Sequence, residues 1–197
     1  MHAAASATTR ASLVAEDKTP KPPDRAASAR WGEARPALPG EGGREGLPVD
    51  DPWLDEKEEL FGELRLFASL DAEARAGLIA AGQVEQRHRN EVIVLEGEPG
   101  TSFYLVMRGS VVVTTRPPGA GRDVTLGVLA RGGCFGEVAL LSGQPRTATV
   151  TAAEDAMLVR YDDAQLEPVL ARFPRVRKML EGLVAGRARD TAEKLGL

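Results

Sequence analysis

Six short β-rich runs between residues 82 and 161 constrain the fold more than any other feature of the sequence. Valine, isoleucine, threonine and aromatic residues favour half-buried strands, and the glycines and prolines between the runs favour turns. No long helical pattern separates the runs, which argues against a parallel sheet and favours an antiparallel sandwich or roll. The predicted strands are residues 92–95, 103–107, 111–115, 124–129, 147–151 and 157–161.

Helical patterns flank the predicted roll on both sides. Between residues 53 and 82 apolar residues recur at helical spacing, with a break and a candidate helix cap at 69–71. The pattern becomes helical again from residue 162, where Pro168 predicts a kink and Pro174 a joint between two helices. The predicted fold class is mainly β with flanking helices (α+β): an antiparallel β-roll or jelly roll with N-terminal helices and C-terminal hinge and lid helices.

Composition separates an N-terminal arm from this domain. Residues 1–52 contain over half of the 13 prolines and hardly any large apolar residue except Trp31. Such a segment buries too little apolar surface to offset the entropy lost on ordering. We therefore predict a disordered arm over residues 1–52 and one domain over residues 53–197.

Charge and cysteine content exclude several classes of protein. The net charge of -4 leaves no basic surplus for neutralising the phosphates of a nucleic acid. The single cysteine, Cys134, allows no internal disulfide or paired thiolate ligands, which suits a reducing compartment. No stretch has the apolar length of a signal peptide or membrane span. We expect a soluble cytoplasmic protein that binds neither nucleic acid nor membrane directly.

The remaining reactive residues do not indicate catalysis or a metal. His2 and His88 have no second ligand at metal-binding spacing, and no nucleophile lies in a recognisable pattern with a base. Cys134 is best interpreted as a buried packing residue. The sequence therefore predicts neither an enzyme nor a metalloprotein.

Two neighbouring runs carry the chemistry: 135–141 (FGEVALL) and 145–150 (PRTATV). A cyclic nucleotide has one ring phosphate with a single negative charge and one free ribose hydroxyl. Glu137 can accept a hydrogen bond from that hydroxyl, and Gly136 lets the sugar lie close to the backbone. Arg146 can offer a planar, permanently charged fork to the phosphate oxygens. The ordinary structural interpretation is a turn glycine, a helix-capping glutamate and a surface arginine that pairs with it.

The whole stretch resembles the phosphate-binding cassette of the cyclic-nucleotide-binding domain family, which includes catabolite activator protein and the regulatory subunits of cyclic-nucleotide-dependent kinases. The similarity runs from about residue 64 to 195 and includes the turn 97–100 (GEPG) and the strand 104–109 (YLVMRG). The resemblance implies that cAMP or cGMP is the ligand and that no metal is needed. The site residues it implies are Gly136 and Glu137 on the ribose, Arg146 with the amides of Ala139 and Thr147 on the phosphate, and Val138 and Ala148 beside them.

The resemblance extends to the C-terminal helix. An ungapped comparison with the family places Thr191 where an adenine-contacting threonine lies, whereas a neighbouring serine that reaches the ligand across a dimer is Ala192 here. Thr147 is compatible with either cAMP or cGMP. The apolar face of this helix has two interpretations: packing over the ligand pocket of the same chain, or a homodimer seam.

Two functions follow from these patterns, and both stay open at this point. In the first, cyclic nucleotide binding moves the C-terminal helices, through a hinge near residues 168–174, and signals to a protein partner. In the second, the domain is a ligand-free interaction scaffold. A transcription regulator lacks support, because no second domain follows residue 197 in this sequence.

Overall fold

The computed structural model describes residues 51–119 and 121–196, so the predicted arm lies almost entirely outside the described residues. Two four-stranded antiparallel sheets form the roll, with strand orders β1-β8-β3-β6 and β2-β7-β4-β5. This arrangement confirms the predicted fold class. The strands are β1 Gln83–Arg87, β2 Val92–Val94, β3 Ser102–Arg108, β4 Val111–Thr115, β5 Val124–Leu129, β6 Cys134–Phe135, β7 Thr149–Ala152 and β8 Ala156–Asp162.

Helices α1, α2, α4 and α5 pack against the sheet that contains β3. Asp71 caps α2 by accepting a hydrogen bond from the amide of Ala74 at 2.8 Å, as the break in the pattern predicted. The helix α4 continues through Pro168, and Phe173 separates it from α5, which begins at Pro174. The helices are α1 Leu54–Glu63, α2 Ala72–Ala81, α3 Glu137–Ser142, α4 Asp163–Arg172 and α5 Pro174–Leu195, with a single 3-10 turn at Arg65–Phe67.

Two apolar cores result because the side chains of β3 alternate between two faces. Phe103, Leu105 and Met107 face the helices, whereas Tyr104 and Val106 face the interior of the roll. The helix-side core also contains Leu166, Leu170, Val176 and Leu180, which fixes the first half of α5. The second half of α5 lies across the edge of the roll, where Lys194 donates to the carbonyl of Leu126 in β5.

The sequence analysis did not predict two of these strands, β1 and β6. The strand β1 is mostly polar because it lies at the edge of its sheet, and Val84 is its only large apolar residue. The strand β6 is only two residues long, so no periodicity can reveal it. The predicted strand at 147–151 begins two residues later, because 147 and 148 form a bend after the cassette.

Candidate functional site

The cassette lies between β6 and β7, and its short helix α3 follows a glycine that the backbone requires. Gly136 has φ +89°, a left-handed conformation that side chains disfavour. A Cβ atom at this position would also lie 2.4 Å from the carbonyl oxygen of Ser102. Gly136 therefore brings the start of α3 against β3, and Glu137 follows as the first residue of the helix.

Arg146 is buried, at 8% relative exposure, and its guanidinium points into the protein. Nη2 donates to the carbonyl oxygen of Ser102 at 2.8 Å, and Nη1 to that of Gly136 at 3.2 Å. No carboxylate among residues 51–119 and 121–196 forms an ion pair with it. Burial lowers the pKa of Arg146, and the nearby Tyr104 and Glu137 oppose part of this effect. The result is a buried cation that is hydrogen-bonded only to neutral groups.

Glu137 is also buried, at 2% relative exposure, but it has a charged partner. Nη1 of Arg187 donates to its Oε1 at 2.6 Å. Within the described part of the chain, the other carboxylate oxygen receives no hydrogen bond. One oxygen of Glu137 is therefore committed to α5, and the other remains able to accept a hydroxyl.

Arg187 is the site residue that the sequence analysis did not assign. It lies in α5, and its Nη2 also donates to the carbonyl oxygen of Cys134 at 2.8 Å. A single arginine thus joins α5 to both ends of the junction between β6 and α3. Helical spacing puts Arg187 near the same face of α5 as Leu180, Leu183 and Thr191, but no sequence signal identified its partner.

The other predicted site residues differ in how deeply they are buried. Ala139 is buried within α3, Val138 and Ala148 are half-buried, and Thr147 is exposed. Thr191 is half-buried in α5, one turn beyond Arg187. The structure therefore brings Gly136, Glu137 and Arg146 together.

Of two surface grooves, one borders the cassette and the other the end of α5. The larger, ≈ 970 Å³, lies between the β4–β5 hairpin and the end of α5, and its lining includes Arg116, Arg122 and Lys194. The smaller, ≈ 400 Å³, lies behind the cassette and includes Gly100 and Ala139. Neither is lined by Glu137 or Arg146, because Glu137 is covered by Arg187 and Arg146 extends into the protein.

Comparison with known proteins agrees with this geometry. The cyclic nucleotide-binding domain family matches residues 84–173. The chain is 33% identical over 137 residues to the cAMP-dependent protein kinase regulatory subunit of Mycosarcoma maydis, which covers 68% of this chain and 25% of the relative. It is 30% identical over 130 residues to human cGMP-dependent protein kinase 2, which covers 66% of this chain and 17% of the relative.

A solved structure extends the likeness to the fold. The N-terminal domain of a transcriptional regulator from Streptomyces coelicolor A3(2) is 33% identical, with a TM-score of 0.53, and the match covers 69% of this chain and 94% of that one. The chain belongs to the cyclic nucleotide-binding domain family. It spans 17 to 29% of the length of five curated relatives that it matches.

Within residues 51–119 and 121–196, no group of three or more histidine, cysteine, aspartate or glutamate side chains could hold a metal ion. Over the same residues, no helix combines the length and the hydropathy needed to cross a bilayer.

Proposed function

We propose that this chain is a regulatory domain that binds cAMP or cGMP in the cassette and transmits binding through α5. The observation that carries the proposal is the buried guanidinium of Arg146, which has only carbonyl oxygens as partners among the described residues. A buried charge is costly unless an opposite charge compensates it. The ring phosphate of a cyclic nucleotide carries one negative charge, which would balance the single positive charge of Arg146.

The sugar end of the ligand fits Glu137. Its second carboxylate oxygen can accept the ribose 2′-hydroxyl in a charge-assisted hydrogen bond. Gly136 would contribute its backbone to the ribose contact, and its missing side chain lets α3 begin against β3, because a Cβ there would lie 2.4 Å from the carbonyl oxygen of Ser102. The amides of Ala139 and Thr147 would complete the phosphate contacts, with Val138 and Ala148 beside them.

The coupling to α5 runs through one carboxylate. Arg187 binds the same Glu137 that the sugar hydroxyl would reach, so binding at the cassette and the position of α5 depend on a shared group. A ligand shifts the position of α5 only as far as its affinities for the two positions differ. We assign the hinge to Phe173, where α4 and α5 meet.

The base would lie near Thr191, one turn of α5 beyond Arg187. Ala192 next to it cannot donate a hydrogen bond from its side chain, which argues against a second polar contact to the base across a dimer. The named relatives include one cAMP-dependent and one cGMP-dependent protein. Both nucleotides therefore stay in the proposal.

The proposal also covers the division of the chain, its output and its location. We propose that residues 1–52 are an arm and residues 53–197 the sensing domain, that the output is a protein partner, and that the protein acts in the cytoplasm without catalysis of its own. Homodimerisation through the C-terminal helix α5 belongs to the same proposal. Sedimentation with and without cyclic nucleotide measures whether the chain forms a dimer.

Calorimetry with cAMP, cGMP and 5′-AMP tests the function directly. The acyclic nucleotide is the control, because its phosphate carries a second charge and is not tied to the sugar ring. We expect saturable binding of cAMP, cGMP or both, and much weaker binding of 5′-AMP. A melting temperature that rises with the logarithm of ligand concentration supplies an independent measurement.

One observation favours a second function, a ligand-free scaffold. Arg187 already neutralises Glu137 without any ligand, and neither groove described above is lined by the charged pair. In that case neither cyclic nucleotide gives heat or a thermal shift at millimolar concentration, and α5 keeps one position.

A further inference from the structure

The path of the Arg146 side chain depends on a second glycine, Gly100, in the turn before β3. A Cβ atom at Gly100 would lie 2.0 Å from Nε of Arg146, 2.4 Å from Cζ and 2.7 Å from Cδ. These three atoms are its three nearest neighbours, so the space directly beside Gly100 is occupied by the side chain of Arg146. The middle of the arginine side chain passes directly over the backbone of residue 100.

The backbone does not require a glycine at this position. Gly100 is absent from the residues with positive φ, whereas Gly136 and Gly97 have φ of +89° and +84°. An alanine at residue 100 therefore needs no left-handed φ, and the three atoms nearest to its Cβ all belong to Arg146. This separates Gly100 from Gly136, whose Cβ would also collide with the carbonyl of Ser102.

Arg146 cannot avoid such a conflict by shifting its backbone. Its amide donates to the carbonyl of Glu98 at 2.8 Å, and its carbonyl accepts from the amide of Gly97 at 2.8 Å. The turn 97–100 and the cassette arginine are thus fixed in register by a pair of hydrogen bonds. A side chain at residue 100 leaves only the guanidinium arm free to move.

We infer that Gly100 is a positioning residue for the anion site: the missing side chain forms a slot that aims Arg146 at the cassette. The inference rests on the proposed function and explains one step of it. The slot and the two carbonyl oxygens place the guanidinium before any ligand arrives, so little entropy remains to be lost on binding.

The test compares Gly100→Ala with Gly77→Ala. Gly77 lies in α2 and a Cβ there meets nothing within 4 Å, so the same chemical change occurs without a conflict. Gly100→Ala should weaken cAMP and cGMP binding on the order of 10- to 100-fold, because a displaced guanidinium loses charge-assisted hydrogen bonds. Gly77→Ala should leave the affinity within twofold.

A second readout needs no nucleotide. Phenylglyoxal modification of Arg146, followed by mass spectrometry, should be slow in the wild type, where this side chain is buried, and several-fold faster in Gly100→Ala. The exposed Arg89 supplies the internal reference rate. If the wild type binds neither nucleotide, the proposed function fails, but this rate still decides whether the slot exists.

Thermal unfolding shows whether the fold itself needs Gly100. In an Arg146→Ala background the conflicting atoms are gone, so adding Gly100→Ala should not change the melting temperature. An equal decrease in both backgrounds would mean that Gly100 serves the turn and not the arginine. The inference is also overturned if Gly100→Ala keeps wild-type affinity and a slow modification of Arg146.

Discussion

The two charged ends of the candidate site are built in different ways. At the end proposed to bind phosphate, the phosphate end, the guanidinium of Arg146 donates to the carbonyl oxygens of Ser102 and Gly136. At the end proposed to bind the ribose, the sugar end, Glu137 accepts from Arg187, which belongs to α5. The contacts of Arg146 thus do not involve α5, whereas the charged partner of Glu137 does.

This difference separates affinity from signalling. A group fixed by the rigid roll can attract an anion whatever the position of α5. A carboxylate shared between the cassette and α5 makes the helix position depend on what else binds that carboxylate. We therefore expect changes at Arg146 to alter affinity with little effect on α5, and changes at Arg187 to alter α5 with less effect on affinity.

The largest effect is expected from Arg146→Ala. Removing the guanidinium should weaken cyclic nucleotide binding on the order of 100-fold, because two or more charge-assisted hydrogen bonds to phosphate are lost. The melting temperature without ligand should change little, since the substitution also removes a buried charge. Calorimetry and thermal unfolding measure the two quantities.

The control for this prediction is Arg175→Ala, which removes an exposed arginine at the start of α5. It should leave the affinity unchanged. Equal losses in both variants would mean that Arg146 acts only through the overall charge of the protein.

The three cassette residues were the part of the candidate site that the sequence could identify by a local motif. Gly136, Glu137 and Arg146 lie close together in the chain, so a local motif can encode them. The antiparallel roll was predictable because each strand carries its own pattern. The sugar end depends on a contact between residues 50 positions apart, Glu137 and Arg187. No local pattern specifies such a contact.

The slot at Gly100 could not be predicted from the sequence for a similar reason. The sequence of residues 97–100, GEPG, is typical of a turn, and the turn alone would explain the glycines in it. Only the three-dimensional path of Arg146 shows that residue 100 needs no special φ and has no room for a side chain. The two-residue strand β6 was missed because pairing with β3, and not local composition, defines it.

The second prediction concerns the Glu137–Arg187 pair. A double-mutant cycle with Glu137→Gln and Arg187→Gln should give a coupling of about 1–3 kcal/mol in the free energy of unfolding, since the Glu137 side chain is only 3% exposed. Urea unfolding without ligand measures it. Hydrogen exchange should show lost protection in the second half of α5 when Arg187 is changed.

A matched cycle on Glu167 and Arg177 serves as the control. That pair also joins a glutamate to an arginine of α5, but its side chains are 62% and 34% exposed. Its coupling should be within about 0–1 kcal/mol. Equal couplings in the two cycles would remove the case for a special link between the cassette and α5.

A smaller effect is expected at Thr191. Its hydroxyl offers one neutral hydrogen bond to the base, so Thr191→Val should weaken binding by roughly 5- to 10-fold. Thr191→Ser keeps the hydroxyl and should bind like the wild type. Calorimetry with both nucleotides shows whether the loss differs between cAMP and cGMP. A loss that is equal in the serine and valine variants would exclude a hydroxyl contact.

The smallest effect is expected at Cys134 near neutral pH. Burial raises the pKa of this thiol from 9.0 to about 12, so it stays protonated in the folded protein. The contribution of this neutral, buried thiol to the free energy of unfolding is fully present below about pH 8. It is lost as the pH rises above 9, by about 1 kcal/mol at pH 10. Urea unfolding of the wild type and Cys134→Ser at pH 7 and pH 10 measures the difference.

The same thiol distinguishes the two ends of the site. The carbonyl oxygen of Cys134 is bound by Arg187, so loosening α5 should expose the junction between β6 and α3. Labelling of Cys134 by a disulfide reagent at pH 8 should therefore accelerate in Arg187→Ala and stay slow in Arg146→Ala. Equal labelling rates in the two variants would mean that both ends of the site open together, and that α5 does not hold the sugar end separately.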